Sequence, residues 1–231
     1  MAVKDIAPKS ASSTDDIVDR LTEAVHEHRI LPGMKLNEDE VGEIFGVSRT
    51  LVRQALRAMS HSGLVTIEHN RGAFVAKPSI KEARELFEAR ALLEPQTARA
   101  AAERATPQDI DRLERHIEEE HAALANDKAG LALKLSGVFH VEIAQIADQH
   151  TIEAFIRQLV SRSSLVIALY WRRRNAICES NAHHALLDAF RANDPDAAED
   201  RMKGHLLDLF SQLDLREPPE EARSLRDALQ P

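Results

Sequence analysis

The segment Val47-Ser48-Arg49-Thr50-Leu51-Val52-Arg53-Gln54-Ala55-Leu56-Arg57-Ala58-Met59 reads as a helix with a different task on each side. Ser48 suits its N-cap, because a serine oxygen accepts from an orphan N–H of the first turn. Val52, Ala55, Leu56 and Met59 recur at i, i+3, i+4 and i+7, an apolar stripe that packs inward. Arg49, Arg53 and Arg57 follow at every fourth residue and share another, outward side. No Asp or Glu lies between Glu43 and Glu68. Such a helix suits the DNA major groove, where one arginine donates two hydrogen bonds to a guanine. Taken alone, the pattern is equally that of a solvated surface helix, so its neighbours carry the decision.

Upstream, helical periodicity starts near Thr14, with Ile17, Leu21, Ala24 and Val25 on one side. Pro32-Gly33 breaks it. Asn37, with Glu40 three residues later, has the form of a capping box. It opens a short helix expected to bury Val41, Ile44 and Phe45. Gly46 stops that helix, and two helices joined by a short glycine turn make a helix-turn-helix. Beyond Ser62-Gly63 the period falls from helical to about 2. Val65–Ile67 and Ala73–Val75 read as strands joined by His69-Asn70-Arg71-Gly72, and a hairpin directly after a helix-turn-helix is a wing.

These stretches together resemble the winged-helix domain of GntR-family transcription regulators. The likeness is carried by Arg29 to Leu36, Gly46 to Leu56, Ser62 to Val65 and Asn70 to Val75, and it spans residues 15 to 77 without a gap. One departure is Leu51, where the family usually has proline. The resemblance implies that Ser48, Arg49, Thr50 and Arg53 face DNA, with His69, Asn70, Arg71 and Gly72 forming the wing contact. Arg57, farther from the helix start, flanks that surface.

The whole chain is acidic, with a net charge of −8 over 231 residues, so any DNA contact comes from a local patch. Aromatic residues are scarce at 4%, while Ala, Leu and Glu are plentiful, which favours helices. The single cysteine, Cys178, excludes an internal disulfide framework and fits a reducing cytoplasm. Residues 1 to 14 have no apolar signal core, and the apolar run Leu165 to Trp171 is far too short to span a bilayer. A bacterial, cytoplasmic location with no membrane partner is expected.

The expected organisation is mainly α. Residues 1–13 form a disordered arm, 14–77 a winged helix-turn-helix with a small β-hairpin, 79–217 an all-helical six-helix bundle for effector binding and dimerisation, and 218–231 a polar tail. Ser79 with Glu82 is a capping box, and Thr106-Pro107 a helix start. Helices are expected near 79–104, 107–126, 131–148, 150–173, 175–192 and 194–213. In the second of these only a narrow stripe of Ile110, Leu113, Ile117 and Leu124 is buried. Trp171-Arg172-Arg173-Arg174 ends a helix, where positive charge suits the dipole. Cys178 reads as packed rather than reactive.

His140, His183 and His205 each lie on a mostly apolar helix. Imidazoles inside a bundle can converge on one metal, although a lone histidine on such a face is more often a satisfied core residue. Gly137 to Ala144 and His183 to Leu206 resemble parts of the helical ligand domain (FCD-like) attached to FadR-type GntR regulators. That resemblance implies that the three histidines bind a divalent metal, zinc or nickel, with an Asp or Asn one turn before the first. Ser136 stands at that position, and its neutral hydroxyl is the poorer ligand. Water or a ligand carboxylate would then complete a three-histidine site. Arg90, with Glu94 one turn on, is either a cation at the effector pocket or half of an intrahelical pair.

The function expected is a ligand-responsive, dimeric DNA-binding regulator rather than an enzyme. It is read as a repressor released from a palindromic operator by a small carboxylate. One rival keeps DNA binding but has a metal-free pocket for an acyl or aromatic acid. The other is a metal-dependent hydrolase, in which an open metal position activates water and Glu142 or Glu179 serves as base.

Overall fold

The structure is a computed structural model that describes residues 13–171 and 179–216. All of the expected arm but Ser13, the tail 218–231, Arg172 to Arg174 and Cys178 lie outside the described residues, as does the side chain of Glu179.

The N-terminal half-dozen elements form a winged helix. Helix α1 (Thr14–His26) starts at a capping box in which Ser13 and Asp16 bond reciprocally. Its face Ile17, Leu21, Ala24 and Val25 is buried. Strand β1 (Lys35–Leu36) follows, then α2 (Glu38–Phe45), whose N-cap Asn37 accepts from the Asp39 N–H. Gly46 ends α2 in the left-handed region at φ 68°, which glycine adopts without a Cβ penalty. Helix α3 (Arg49–His61) is the segment read first, capped by Ser48 and buried along Val52, Ala55, Leu56 and Met59. Strands β2 (Val65–Glu68) and β3 (Gly72–Val75) pair antiparallel, Val65 opposite Val75 and Glu68 opposite Gly72. β1 adds to the other edge of β3, giving the order β1-β3-β2.

Two readings of this half need correction. Ile44 is not buried; 62% of it is exposed, because α2 turns only Val41 and Gly42 fully inward over α3. The cap at Asn37 is the asparagine alone, without the reciprocal half of a capping box among the described residues. β1, two residues long, carries too little periodicity to be read from sequence.

The second half holds six helices among the described residues: α4 (Ile80–Ala102), α5 (Pro107–Ala125), α6 (Ala129–Ile146), α7 (His150–Tyr170), α8 (Glu179–Arg191) and α9 (Pro195–Ser211). α4 is central and packs on α6, α7, α8 and α9, while α5 packs on α6 and α8. Leu113, Ile117, Phe139, Ile143, Leu186 and Phe190 lie in its main core. Each such side chain contributes roughly 1.5–3 kcal/mol by leaving water. The inner face of α5 differs from the apolar stripe expected. Ile110 and Leu124 are only half-buried, and His116 and Glu120 are buried beside Leu113 and Ile117. Buried polar groups need partners, and α5 supplies them to the neighbouring helices.

The two halves share apolar core. Leu165 of α7 is fully buried among Ile17, Leu56 and Met59 of the winged helix. Lys134 of α6 reaches Glu23 of α1 and Glu27 at its C-cap, the second at 3.7 Å. Gly130 lets α6 begin directly against the end of α1, where any Cβ would collide with the Glu27 carbonyl.

Candidate functional site

The outer face of α3 is built as its pattern dictates. Ser48, Arg49, Thr50, Arg53 and Arg57 are all exposed while the opposite stripe is buried. Tertiary structure adds acidic partners from α2: Arg49 pairs with Asp39, and Arg53 Nε lies 2.8 Å from Glu38 Oε2. These pairs are exposed and therefore weak, so phosphates or base edges can replace them. At the wing, Asn70 takes φ 58°, a conformation asparagine tolerates better than most residues, and Gly72 takes φ 102°. His69, Asn70, Arg71 and Gly72 are thereby set at the hairpin tip, with Arg71 paired to Glu68.

The three histidines come from three helices, His140 from α6, His183 from α8 and His205 from α9, and all are buried. One nitrogen of each lies within 4.8 Å of the others. His140 Nε2 and His205 Nε2 face one another at 3.2 Å. Two carboxylates stand behind them. Glu94 Oε2 of α4 contacts His140 Nδ1 at 2.6 Å, and Glu120 Oε2 of α5 accepts from His183 Nδ1 at 2.9 Å. With its Nδ1 donating to Glu120, His183 turns Nε2 away from it, and that atom is buried without a hydrogen-bond partner. Such an orphan in a cluster of imidazoles fits a metal ion. Nitrogens bind zinc at about 2.0–2.1 Å, and ligating histidines commonly give their other ring nitrogen to a carboxylate.

Electrostatics point the same way. Burial pushes the imidazolium forms of His140 and His205 down, and for His205 the neighbouring His140 and His183 push further. Neutral imidazole is the form that ligates metal. Burial alone would raise Glu94, but Arg90 and His140 outweigh it and hold its carboxyl down at about 2. Glu94 is thus a fixed negative charge beside the cluster.

Arg90 forms the intrahelical pair and also borders a cavity. It is buried, pairs with Glu94 through Nε at 2.5 Å and a second nitrogen at 3.3 Å, and also lines a cavity of about 610 Å³. His140 and Ser136 line the same cavity. Ser136 is buried one helical turn before His140 on α6. Glu94 and Glu120 stand behind the imidazoles of His140 and His183. Sequence reasoning did not assign either glutamate to the cluster. Only an acid on a face otherwise occupied by Leu113 and Ile117 hinted at Glu120. Glu142, one of the two glutamates considered as base for a hydrolase, faces α5, with His116 Nδ1 at 3.3 Å and Arg112 at 3.7 Å.

Comparison with known proteins decides the family. Residues 13–75 match the model of bacterial regulatory proteins of the gntR family, and residues 85–208 match the FCD domain. The chain belongs to the GntR family of regulators that carry an FCD domain. It is 30% identical over 167 residues to the Nta operon transcriptional regulator of Aminobacter aminovorans, covering 72% of this chain and 79% of that one. It is 29% identical over 213 residues to the galactonate operon transcriptional repressor of Escherichia coli, covering 81% of this chain and 91% of that one. The solved structure of Escherichia coli McbR/YncC has the same fold, with a TM-score of 0.77 at 20% identity over 87% of this chain and 96% of that one. This FCD-type GntR protein is accordingly a DNA-binding transcription regulator and not an enzyme. Among the described residues, no helix is long and apolar enough to cross a membrane.

Proposed function

We propose that this GntR regulator is a repressor that leaves a palindromic operator when a small carboxylate binds beside a metal held by His140, His183 and His205. The observation that carries the effector half is the buried His183 Nε2, orphaned next to two further imidazoles. Zinc or nickel suits three imidazoles, and Glu94 and Glu120 would orient His140 and His183 for it. When bound, the metal supplies a Lewis-acidic anchor for a carboxylate oxygen. Arg90 would add charge at the same cavity wall, and Ser136 a hydroxyl. The galactonate repressor is named for the operon of a carboxylate, which supports that ligand class.

On the DNA side, Ser48, Arg49, Thr50 and Arg53 would meet the major groove, and the wing tip His69 to Gly72 the backbone or minor groove. Two copies would place two α3 helices on the half-sites of a two-fold operator. Relief follows only if the carboxylate binds the operator-released state more tightly than the operator-bound one.

The test is an operator selected from a random duplex pool by the wild-type protein. Arg49→Ala should bind it with a loss of about 1–3 kcal/mol, or roughly 5- to 150-fold. Unchanged gel-shift affinity would remove Arg49 from the reading face. Metal analysis after incubation with Zn²⁺ or Ni²⁺ should find one ion per chain, and its absence would end the metal part.

A further inference from the structure

The cavity that touches Arg90 and His140 does not stay inside the helical domain. Its other wall is the winged helix itself: Val18, Thr22 and His26 of α1, His28 just beyond, and Ser62 and Leu64 after α3. Val18, Thr22 and His26 stand at i, i+4 and i+8, one line along α1. The adjacent line, Ile17, Leu21 and Val25, is buried in the winged-helix core. α1 therefore has two working faces, one for its own domain and one for the cavity.

Polar contacts across the cavity rim hold this wall against α7. His26 Nε2 meets Ser161 Oγ at 2.8 Å, and His28 Nε2 meets the Ser164 carbonyl at 3.0 Å. Elsewhere an aliphatic strip that includes Val138, Val141, Val160 and Ile167 alternates with polar residues such as Gln158 and Ser163. The cavity's cationic lining residues are Arg90, Lys134 and Arg157, paired with Glu94, Glu23 and Glu153 respectively, and Asp19 is the only acidic lining residue among those described. A volume of about 610 Å³ suits a ligand of drug-like size.

We infer that the DNA-binding domain forms part of the effector seat, and that the seat takes an organic acid with an apolar body long enough to touch α1. This rests on the cavity reading above but not on the metal. The acid group sits toward Arg90 and His140, and the body lies along the aliphatic wall against Val18 and Thr22. α1 packs directly on α3, and His61, the last residue of α3, itself lines the cavity, so the seat reaches the recognition helix. Binding free energy then differs between domain arrangements through contacts with α1 itself.

The probe is 8-anilinonaphthalene-1-sulfonate, an aromatic anion that fluoresces on entering an apolar cavity. Metal-loaded, full-length wild type should bind it. Val18→Phe and Thr22→Trp, which fill the cavity from the α1 side, should each weaken it tenfold or more. In wild type, where no variant has to fold, hydrogen exchange should slow in the peptide spanning residues 18–26 when the probe is added. Failure of wild type to bind the probe would overturn the inference. So would unchanged affinity in both variants together with unaltered exchange in that peptide. Co²⁺ uptake, measured on the same samples, reads the histidine cluster separately. Its loss with the probe results intact would strike the metal proposal and support this one.

Discussion

Replacing Glu120 asks whether the carboxylates behind the histidines serve the cluster. Glu120 is 1% exposed and His183 fully buried, so solvent cannot stand in for either. The ionised carboxylate only accepts, so its 2.9 Å bond fixes the proton on His183 Nδ1 and leaves the Nε2 lone pair for an ion. Glu120→Gln retains a carbonyl oxygen that can accept the same bond, but removes the charge that makes the imidazole a better donor. Glu120→Ala removes both and leaves the ring free to change tautomer or rotate. Partners of ligating histidines are worth about 10- to 100-fold in metal affinity. At about 1.4 kcal/mol per tenfold, that is roughly 1.4–2.7 kcal/mol. Glu120→Gln should therefore lie near the tenfold end and Glu120→Ala near the hundredfold end. Alanine also leaves a buried N–H unsatisfied, at about 1–3 kcal/mol of fold stability, so binding is measured well below its melting temperature. The assay is titration of metal-free protein with Co²⁺, followed by visible absorption, with circular dichroism to confirm the fold. If both variants bind Co²⁺ as wild type does, Glu120 does not serve a metal and the argument from the orphaned His183 Nε2 fails.

Two further outcomes follow from the contact between the halves. Leu165→Ala should cost about 2–5 kcal/mol, as for other buried leucines, and because Leu165 sits in the winged-helix core it should loosen that domain although it lies on α7. Hydrogen exchange of α1 and α3 peptides checks this, and protection equal to wild type would deny the shared core. Burial, then Lys134 and His28, depress His26 from 6.5 to about 4. The folded state therefore prefers neutral His26: its contribution is intact above pH 6.5, and is lost as pH falls from there toward 4. That drop amounts to up to about 3 kcal/mol, and denaturant melts of His26→Gln should show a shallower decline across this range. A slope identical to wild type would assign the acid sensitivity elsewhere.

Local physics made the DNA-binding half legible. Its helices announce themselves by a stripe on one face and caps at the ends: Val52, Ala55, Leu56 and Met59 beneath Ser48, Gly46 in the turn, Asn70 to Gly72 at the hairpin. Those signals act within a few residues of one another, so reading along the chain recovers them. Ile44 was misplaced because periodicity says which residues share a side, not which side a neighbour covers.

The helical half shows the limit of such reading. Each of the three histidines could be singled out on its own apolar helix, but nothing in their spacing brings three helices to one point. Resemblance supplied the expectation, and packing of α6, α8 and α9 supplied the convergence. Glu94, at the position of an ordinary helical ion pair, and Glu120, on a heavily charged helix, became partners of His140 and His183 only when α4 and α5 closed over the cluster. The same holds for the outward arginines. No acid lies near them in sequence, yet the helix-turn-helix brings Asp39 and Glu38 to Arg49 and Arg53. Sequence by itself determined the elements, the outward arginine face of α3 and the wing, because those depend on capping, turn chemistry and periodicity. Tertiary structure alone decided the charge balance at the histidines and the cavity shared between the halves, because burial and long-range approach create both.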